Sequence, residues 1–215
     1  MSAGLPRITG TGRRRSLLLL LFLLLLPPIT GCGGPRPYSQ QLRALPPEPI
    51  CRVAVLPFAN HSDYPLAGAV AHQVFSAQLQ QTAGYQVAQE GDVRKAYQQL
   101  RIFPGQQPTP EQMRILADRL RVQLLFTGTV VEMRETPGNN APANPVLELE
   151  LQIRDGRDAV ALWHTHHRRQ GTDYRTAMHF GTVHTVTGLS RQVAREIINL
   201  WLKEGLTPCD ASPQY

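Results

Sequence analysis

Motifs that identify common enzyme classes are absent from this sequence. There is no Gly-rich phosphate loop, no Gly-x-Ser-x-Gly around a nucleophilic serine and no His-Glu-x-x-His zinc motif. His61, Ser62 and Asp63 follow the first predicted strand, where open α/β sheets often bind ligands, but they suit a turn before the next helix better than a catalytic site. The sequence therefore predicts a protein that is not an enzyme and needs no cofactor.

Acidic residues are missing from the first 31 positions, where all the charge comes from four arginines, Arg7, Arg13, Arg14 and Arg15. Without that segment, 18 of the 22 Lys and Arg residues remain against 16 acidic residues. A formal charge of only about +2 leaves no basic footprint of the kind that binds nucleic acid. We therefore expect no nucleic-acid partner.

The chain has only one long hydrophobic run, Leu17–Leu26, which ends at Pro27-Pro28. A membrane-spanning helix needs about 20 apolar residues, so this run is too short for the alternative of a transmembrane anchor. Arginines, an apolar run and a short cleavage region follow one another as in a signal peptide. The last four residues, Ile29-Thr30-Gly31-Cys32, resemble the lipobox of bacterial lipoproteins. We predict that residues 1–31 are a signal peptide and that Cys32 is lipidated.

Lipidation would decide the location of the mature protein. A diacylglyceryl cysteine with a further N-acyl chain is attached to a membrane effectively permanently, because two or more chains are buried. Gly33, rather than Asp, follows Cys32, which resembles the lipoproteins that Gram-negative cells send to the outer membrane. We expect a lipid-anchored protein of the outer membrane that faces the periplasm, with the inner membrane as the less favoured location.

Residues 32–49 contain five prolines and little that a core would bury. This composition predicts a flexible tether that reaches roughly 50 Å when extended. On that interpretation the domain stands well clear of the membrane. Residues 205–215 are predicted to form a C-terminal tail.

Cysteine is scarce, with three residues in the whole chain. If Cys32 carries lipid, Cys51 and Cys209 remain, one near each end of the predicted domain. An oxidising periplasm permits a disulfide between them. The alternative of two free thiols stays open, because sequence does not give the separation of their Cα atoms.

Residues 50–204 alternate between strand and helix patterns, which predicts a single α/β (α+β) domain. We expect a mixed central sheet of about five strands flanked by about four helices. The clearest helix start is Thr109-Pro110-Glu111-Gln112, a capping box with proline at the first helical position. From Leu147 to Arg154 apolar and polar residues alternate strictly, so this strand has one dry and one wet face. Asp155-Gly156 then predicts a hairpin.

The order of these elements, with Arg52-Val53-Ala54-Val55-Leu56-Pro57-Phe58-Ala59-Asn60 at the front, resembles a known domain. It is similar to the domain shared by the N-terminal part of TolB, the curli secretion lipoprotein CsgG and the penicillin-binding-protein activator LpoB. Leu124-Leu125-Phe126-Thr127-Gly128-Thr129-Val130 and Leu162-Trp163 are further matches. These residues mark a fold and specify no catalytic group.

The resemblance implies an envelope lipoprotein that works by binding other proteins, with a homo-oligomer as one form of assembly. The wet face of the strand at 146–154 and the loop at 137–145 are the expected binding surfaces. An export-channel subunit is less favoured. A membrane-crossing hairpin needs about 9–11 residues per strand, and the candidate inserts at 105–108 and 137–145 are shorter.

A histidine cluster supports an alternative function. His164 and His166 alternate on a strand and share a face, so both imidazoles could bind Zn²⁺ or Cu²⁺, with His179 or His184 as later ligands. Neither a cysteine nor a carboxylate completes this set in the sequence. A solvated strand end is the favoured interpretation, and a metal-binding or metal-carrying lipoprotein is the alternative.

Overall fold

The computed structural model describes residues 36–103, 105–136, 143–176 and 180–209. The predicted signal peptide and Cys32 therefore lie outside the described residues. In these ranges the strands are β1 Tyr38–Gln41, β2 Arg52–Val55, β3 Ala59–Asn60, β4 Gln86–Val87, β5 Leu124–Thr136, β6 Asn144–Asp155 and β7 Ala161–Gln170. The helices are α1 Ala67–Ala83, α2 Glu90–Gln99, α3 Pro110–Leu120 and α4 Val186–Lys203, with a 3₁₀ turn at Gly171–Tyr174.

The predicted α/β class is confirmed, and the sheet is larger than the five strands expected. Its order is β1-β7-β6-β5-β2-β4, with β3 paired to β5 beyond the end of β2. Strands β5, β6 and β7 form an antiparallel meander, whereas β2, β3 and β4 add to it in parallel pairs. The two additional strands are β1, whose sequence Tyr-Ser-Gln-Gln has no apolar alternation, and β3, which is two residues long.

Helices cover the two faces of the sheet unequally. On one face α1 and α4 pack over the sheet, and the rings of Phe75, Phe126 and Trp201 contact one another. On the other face α2 and α3 pack over β2 and the start of β5, where Ala54, Leu125 and Leu116 are buried together. The other face of β6 and β7 therefore has no helical layer in the described part of the chain.

Local sequence signals fix the start of α3 and the end of α1. Thr109 Oγ1 accepts a hydrogen bond from the Gln112 backbone N–H, and the Gln112 side chain accepts one from the Thr109 N–H, completing the capping box. Helix α1 ends at Gly84, whose φ of 68° is left-handed and suits a residue without Cβ. These two boundaries are set by local chemistry.

The tether expected at 32–49 is shorter than predicted, because the residues from Tyr38 onward belong to the domain. Tyr38–Gln41 pairs antiparallel with β7 as strand β1, and Leu45 packs against the core. The predicted tail at 205–215 is likewise part of the domain at its start. Leu206 is buried, its carbonyl accepts a hydrogen bond from Tyr85 Oη, and Pro208 forms a bridge to Ile50.

None of the helices in the described ranges combines the length and the apolar character needed to cross a bilayer.

Candidate functional site

The face of the meander that none of the described helices covers is a continuous polar surface. Because side chains alternate along each strand, the wet positions of β6 lie beside those of its neighbours. Glu148 is paired with Arg168, and Glu150 with His166. We call this surface the open sheet face and define it by Glu132, Glu148, Glu150, Gln152, His164, His166 and Arg168. The predicted wet face of β6 thus becomes one part of a three-stranded surface.

A chain of ion pairs crosses the open sheet face. His166 Nε2 lies 2.8 Å from Glu148 Oε1, and Arg168 Nε lies 3.4 Å from Glu148 Oε2. Arg168 also reaches Glu132, whose other oxygen is 2.6 Å from Arg134 Nε. Exposed ion pairs add little to stability, about 0–1 kcal/mol each. This arrangement is therefore suited to recognition by charge more than to holding the fold together.

Two members of the open sheet face have side chains that make no hydrogen bond or ion pair to any described residue. They are Glu150, which is exposed, and His164, which is half-buried. Beside them a small cavity of about 250 Å³ separates the strands from the start of α3, and Gln107, Thr127 and Arg154 are among its lining residues. A partner can therefore reach unpaired polar groups at this point.

The structure does not assemble the metal ligands that the histidine pattern suggested. His164 and His166 do share the open sheet face, but His166 is occupied by Glu148. His184 Nδ1 lies 3.0 Å from the Ala143 carbonyl oxygen, and His179 lies outside the described residues. Among the described residues, no three His, Cys, Asp or Glu side chains are grouped so that they could hold a metal.

Sequence reasoning missed a second polar cluster on the opposite face of β7. His167 Nε2 lies 2.6 Å from Glu196 Oε2, and Arg169 donates to both oxygens of Glu196 at 3.0 Å. The Arg169 guanidinium stacks on the Tyr174 ring at 5.3 Å. We call these four residues the buried charge cluster. It ties α4 to the sheet, and no pattern in the sequence pairs Glu196 with residues 27 and 29 positions before it.

The buried charge cluster predicts how stability depends on pH. Burial alone raises the pKa of Glu196, but hydrogen bonds from His167 and Arg169 outweigh burial and leave this pKa below its usual 4.5. A lowered pKa in the folded state stabilises the fold above the usual value, and this contribution is lost as the pH falls through the folded value. We expect Glu196→Gln to reduce the free energy of unfolding at pH 7 by about 2 kcal/mol.

Urea unfolding across the acid range tests this expectation. The difference between wild type and Glu196→Gln should shrink between about pH 5 and pH 3, because protonation removes the same charge from the wild type. Asp155, whose pKa is also lowered, by hydrogen bonds from Arg157 that outweigh burial, keeps its own pH dependence in both proteins. A difference that stayed constant down to pH 3 would contradict the assignment.

The loop after β3 behaves as the sequence suggested. Asn60 Oδ1 accepts hydrogen bonds from the Ser62 backbone N–H and from Ser62 Oγ, at 2.9 and 2.7 Å. The Asn60 amide in turn donates to the Tyr64 carbonyl at 2.8 Å. His61, Ser62 and Asp63 therefore belong to a tight turn before α1.

A groove of about 880 Å³ between α1 and α2 lies at the carboxyl end of β2. Phe58, Ile102 and Phe103 are among its apolar lining residues, and Phe103 is 71% exposed. On one wall His72 is buried with Nε2 3.2 Å from the Val55 carbonyl oxygen, and burial lowers the pKa of His72. Glu90, Arg94 and Arg101 are the charged residues of an otherwise largely apolar lining, which suits a mostly apolar ligand.

Cys51 and Cys209 lie together at the end of the sheet opposite the β5–β6 connection. Their Cα atoms are 4.9 Å apart, within the range that disulfides occupy. Alongside them, the Cys209 backbone N–H donates to the Ile50 carbonyl oxygen at 2.8 Å. The geometry needed for the predicted bond is therefore present.

Comparison with known proteins identifies the fold. No protein-family model and no curated protein sequence matches the chain. Among solved structures, the PelC dodecamer from Paraburkholderia phytofirmans matches with a TM-score of 0.52 and 15% identity over 75% of this chain and 94% of that one. The lipoprotein GNA1162 from Neisseria meningitidis matches with a TM-score of 0.52 and 15% identity over 71% of this chain and 99% of that one. The chain shares its fold with both.

The predicted resemblance to α/β domains of envelope lipoproteins is thus confirmed at the level of the fold. The C-terminal domain of LpoB from Escherichia coli also matches, with a TM-score of 0.42 and 14% identity over 56% of this chain and 83% of that domain. At 14–15% identity these similarities concern the backbone arrangement alone.

Proposed function

We propose that this protein is a lipid-anchored envelope component that acts by binding other proteins and not by catalysis. In this proposal Cys32 carries the lipid, the lipid is inserted into the outer membrane, and the domain faces the periplasm. The open sheet face is the surface that binds the partner. The partner is another envelope protein or a second copy of this chain.

The observation that carries the proposal is the polar face of the meander that no helix of the described residues covers. An antiparallel sheet can leave one face to water, and here the outer face of β6 and β7 carries ion pairs and unpaired polar side chains. Glu148 and Arg168 have side chains that are 22% and 47% exposed. Such a surface is costly to bury against an apolar partner and well matched to one with complementary charges.

The comparisons add support of a general kind. GNA1162 is itself a lipoprotein, and PelC forms a dodecamer on the same fold. A fold that assembles in this way elsewhere makes self-association a reasonable form of binding for this chain. We therefore include the homo-oligomer among the expected partners.

A charge reversal on the open sheet face tests the proposal. We expect Glu150→Lys to leave the fold intact, because Glu150 is exposed and has no partner among the described residues. The variant should lose most of the envelope complex that wild type recovers by crosslinking from native membranes. Asp118→Lys is the matched control, since it makes the same charge change at an exposed position on α3.

The comparison of these two variants decides the outcome. Recovery of the same complex with Glu150→Lys and Asp118→Lys, both at wild-type yield, would show that the open sheet face is not the binding surface. A parallel Cys32→Ser sample reports separately on anchorage, since this protein should be released from the membrane fraction while its domain stays folded.

A further inference from the structure

Part of the predicted tether is a strand of the sheet, although the tether was expected only to link the domain to the membrane. Tyr38–Gln41 pairs with β7, from Tyr38 opposite His166 to Gln41 opposite Trp163. The Trp163 indole N–H donates to Ser39 Oγ at 2.6 Å, and the Leu42 N–H donates to the Leu162 carbonyl oxygen at 2.8 Å. The chain is therefore attached to the domain from residue 38 onward.

The register of β1 also sets the direction from which the chain arrives. Because β1 is antiparallel to β7, the N-terminal end of β1 at Tyr38 is directed toward the carboxyl end of β7 at Gln170. At that end of the sheet Gln170 pairs with Val146, and Thr136 pairs with Asn144 where β5 meets β6. We call this the hairpin-tip end. The chain therefore joins the edge of the sheet opposite His166, four residues before Gln170, on the side of β1 that is directed toward the hairpin-tip end.

The distance from the proposed anchor to the domain is consequently short. Only residues 33–37 separate Cys32 from β1. Six residue steps span at most about 20 Å when fully extended, compared with the roughly 50 Å expected for a tether that ends at residue 49. A lipid in the membrane would hold the hairpin-tip end close to the bilayer surface.

An exposed aromatic side chain lies at this same end. Phe180 is 72% exposed. The segment that carries Phe180 is fixed to the hairpin-tip end by two hydrogen bonds, one from the Thr172 N–H to Asn144 Oδ1 at 3.0 Å and one between His184 Nδ1 and the Ala143 carbonyl oxygen at 3.0 Å. Aromatic rings are favoured at the boundary between water and lipid.

We propose that the hairpin-tip end of the domain docks on the phospholipid surface of the membrane, with Phe180 in the interfacial layer. This inference rests on the proposed lipidation of Cys32 and adds an orientation to it. The strands then stand away from the membrane, and the open sheet face is presented sideways to partners in the periplasm. The Cys51–Cys209 end of the sheet is directed away from the bilayer.

Quenching by brominated phospholipids tests the orientation in the full lipidated protein. Phe180→Trp places a fluorophore at the hairpin-tip end, while Trp163 and Trp201 are 2% and 0% exposed and give a constant background. In phosphatidylethanolamine–phosphatidylglycerol vesicles with brominated acyl chains, we expect the added emission to be mostly lost. Val160→Trp is the control, since Val160 is 43% exposed and precedes β7 at its opposite end. Its added emission should be retained.

The outcomes separate this inference from the proposed function. Mass spectrometry of the purified protein first establishes whether Cys32 is acylated; an unmodified cysteine would overturn both proposals. With acylated protein, equal quenching of the two tryptophans, or no quenching of either, would overturn the orientation alone. A flexible insertion of roughly 30 Gly and Ser residues after Gly34 should weaken the quenching of Phe180→Trp, because it frees the domain from the short tether.

Discussion

Replacing both Cys51 and Cys209 with serine is expected to lower the free energy of unfolding by about 5 kcal/mol. The two residues are 158 positions apart in sequence, and on the chain-entropy model a bond that closes a loop of this length restricts the unfolded chain by about that amount. The bond also holds the segment before β2 against the segment after α4, since Pro208 bridges to Ile50. Urea unfolding of the oxidised wild type and the double variant measures the effect.

Reductant provides the control for this prediction. The wild type should lose the same stability in dithiothreitol, whereas the double-serine variant should not respond. Labelling of unfolded protein with a thiol reagent should find no free Cys51 or Cys209 before reduction. Full labelling of protein taken directly from cells would mean that the two thiols are free in the cell, and it would contradict this prediction.

Trp201→Ala is expected to destabilise the protein by about 3–5 kcal/mol, the range for removing a large aromatic side chain from a packed core. Trp201 is completely buried, and its ring centroid lies 5.8 Å from that of Phe75 and 5.6 Å from that of Phe126. Its indole N–H donates to Thr165 Oγ1 at 2.8 Å. The substitution therefore leaves a cavity between α1, α4 and the sheet as well as an unpaired buried hydroxyl.

Trp201→Phe separates these two contributions. It keeps an aromatic ring in the core but cannot donate to Thr165, so we expect a smaller loss than for alanine, with about 1 kcal/mol from the hydrogen bond. Thermal unfolding followed by circular dichroism measures both variants. An alanine variant as stable as wild type would mean that Trp201 does not connect α4 to the core.

The elements that sequence predicted well are those whose structure is decided locally. The strict alternation from Leu147 to Ile153 predicted both the strand and its buried face, and each of its leucines is at most 1% exposed. The Asp155-Gly156 turn predicted the β6–β7 hairpin. The capping box at Thr109 predicted the start of α3 at Pro110. In each case a few adjacent residues contain the information.

The elements that sequence missed depend on contacts between distant residues. Tyr38–Gln41 has no apolar alternation and lies among prolines, so its strand exists through pairing with β7. The position of Trp163 also depends on a distant contact, because Ser39 Oγ accepts the indole hydrogen bond. From the sequence, the open sheet face was predicted for β6 alone. The residues of β5 and β7 that lie beside it are set by how these strands pair with β6.

The attachment of β1 has a mechanical consequence. If Cys32 carries the proposed lipid, a force that pulls the domain away from the membrane enters the sheet at Tyr38 and runs along the axis of β1. The backbone hydrogen bonds between β1 and β7 lie across that axis, so they share the load and must break nearly together, unlike a strand that is peeled off one bond at a time. If they do break, residues 38–49 are free to extend. The rest of the sheet, which the chain enters after Cys51, then bears no load until this segment is fully extended.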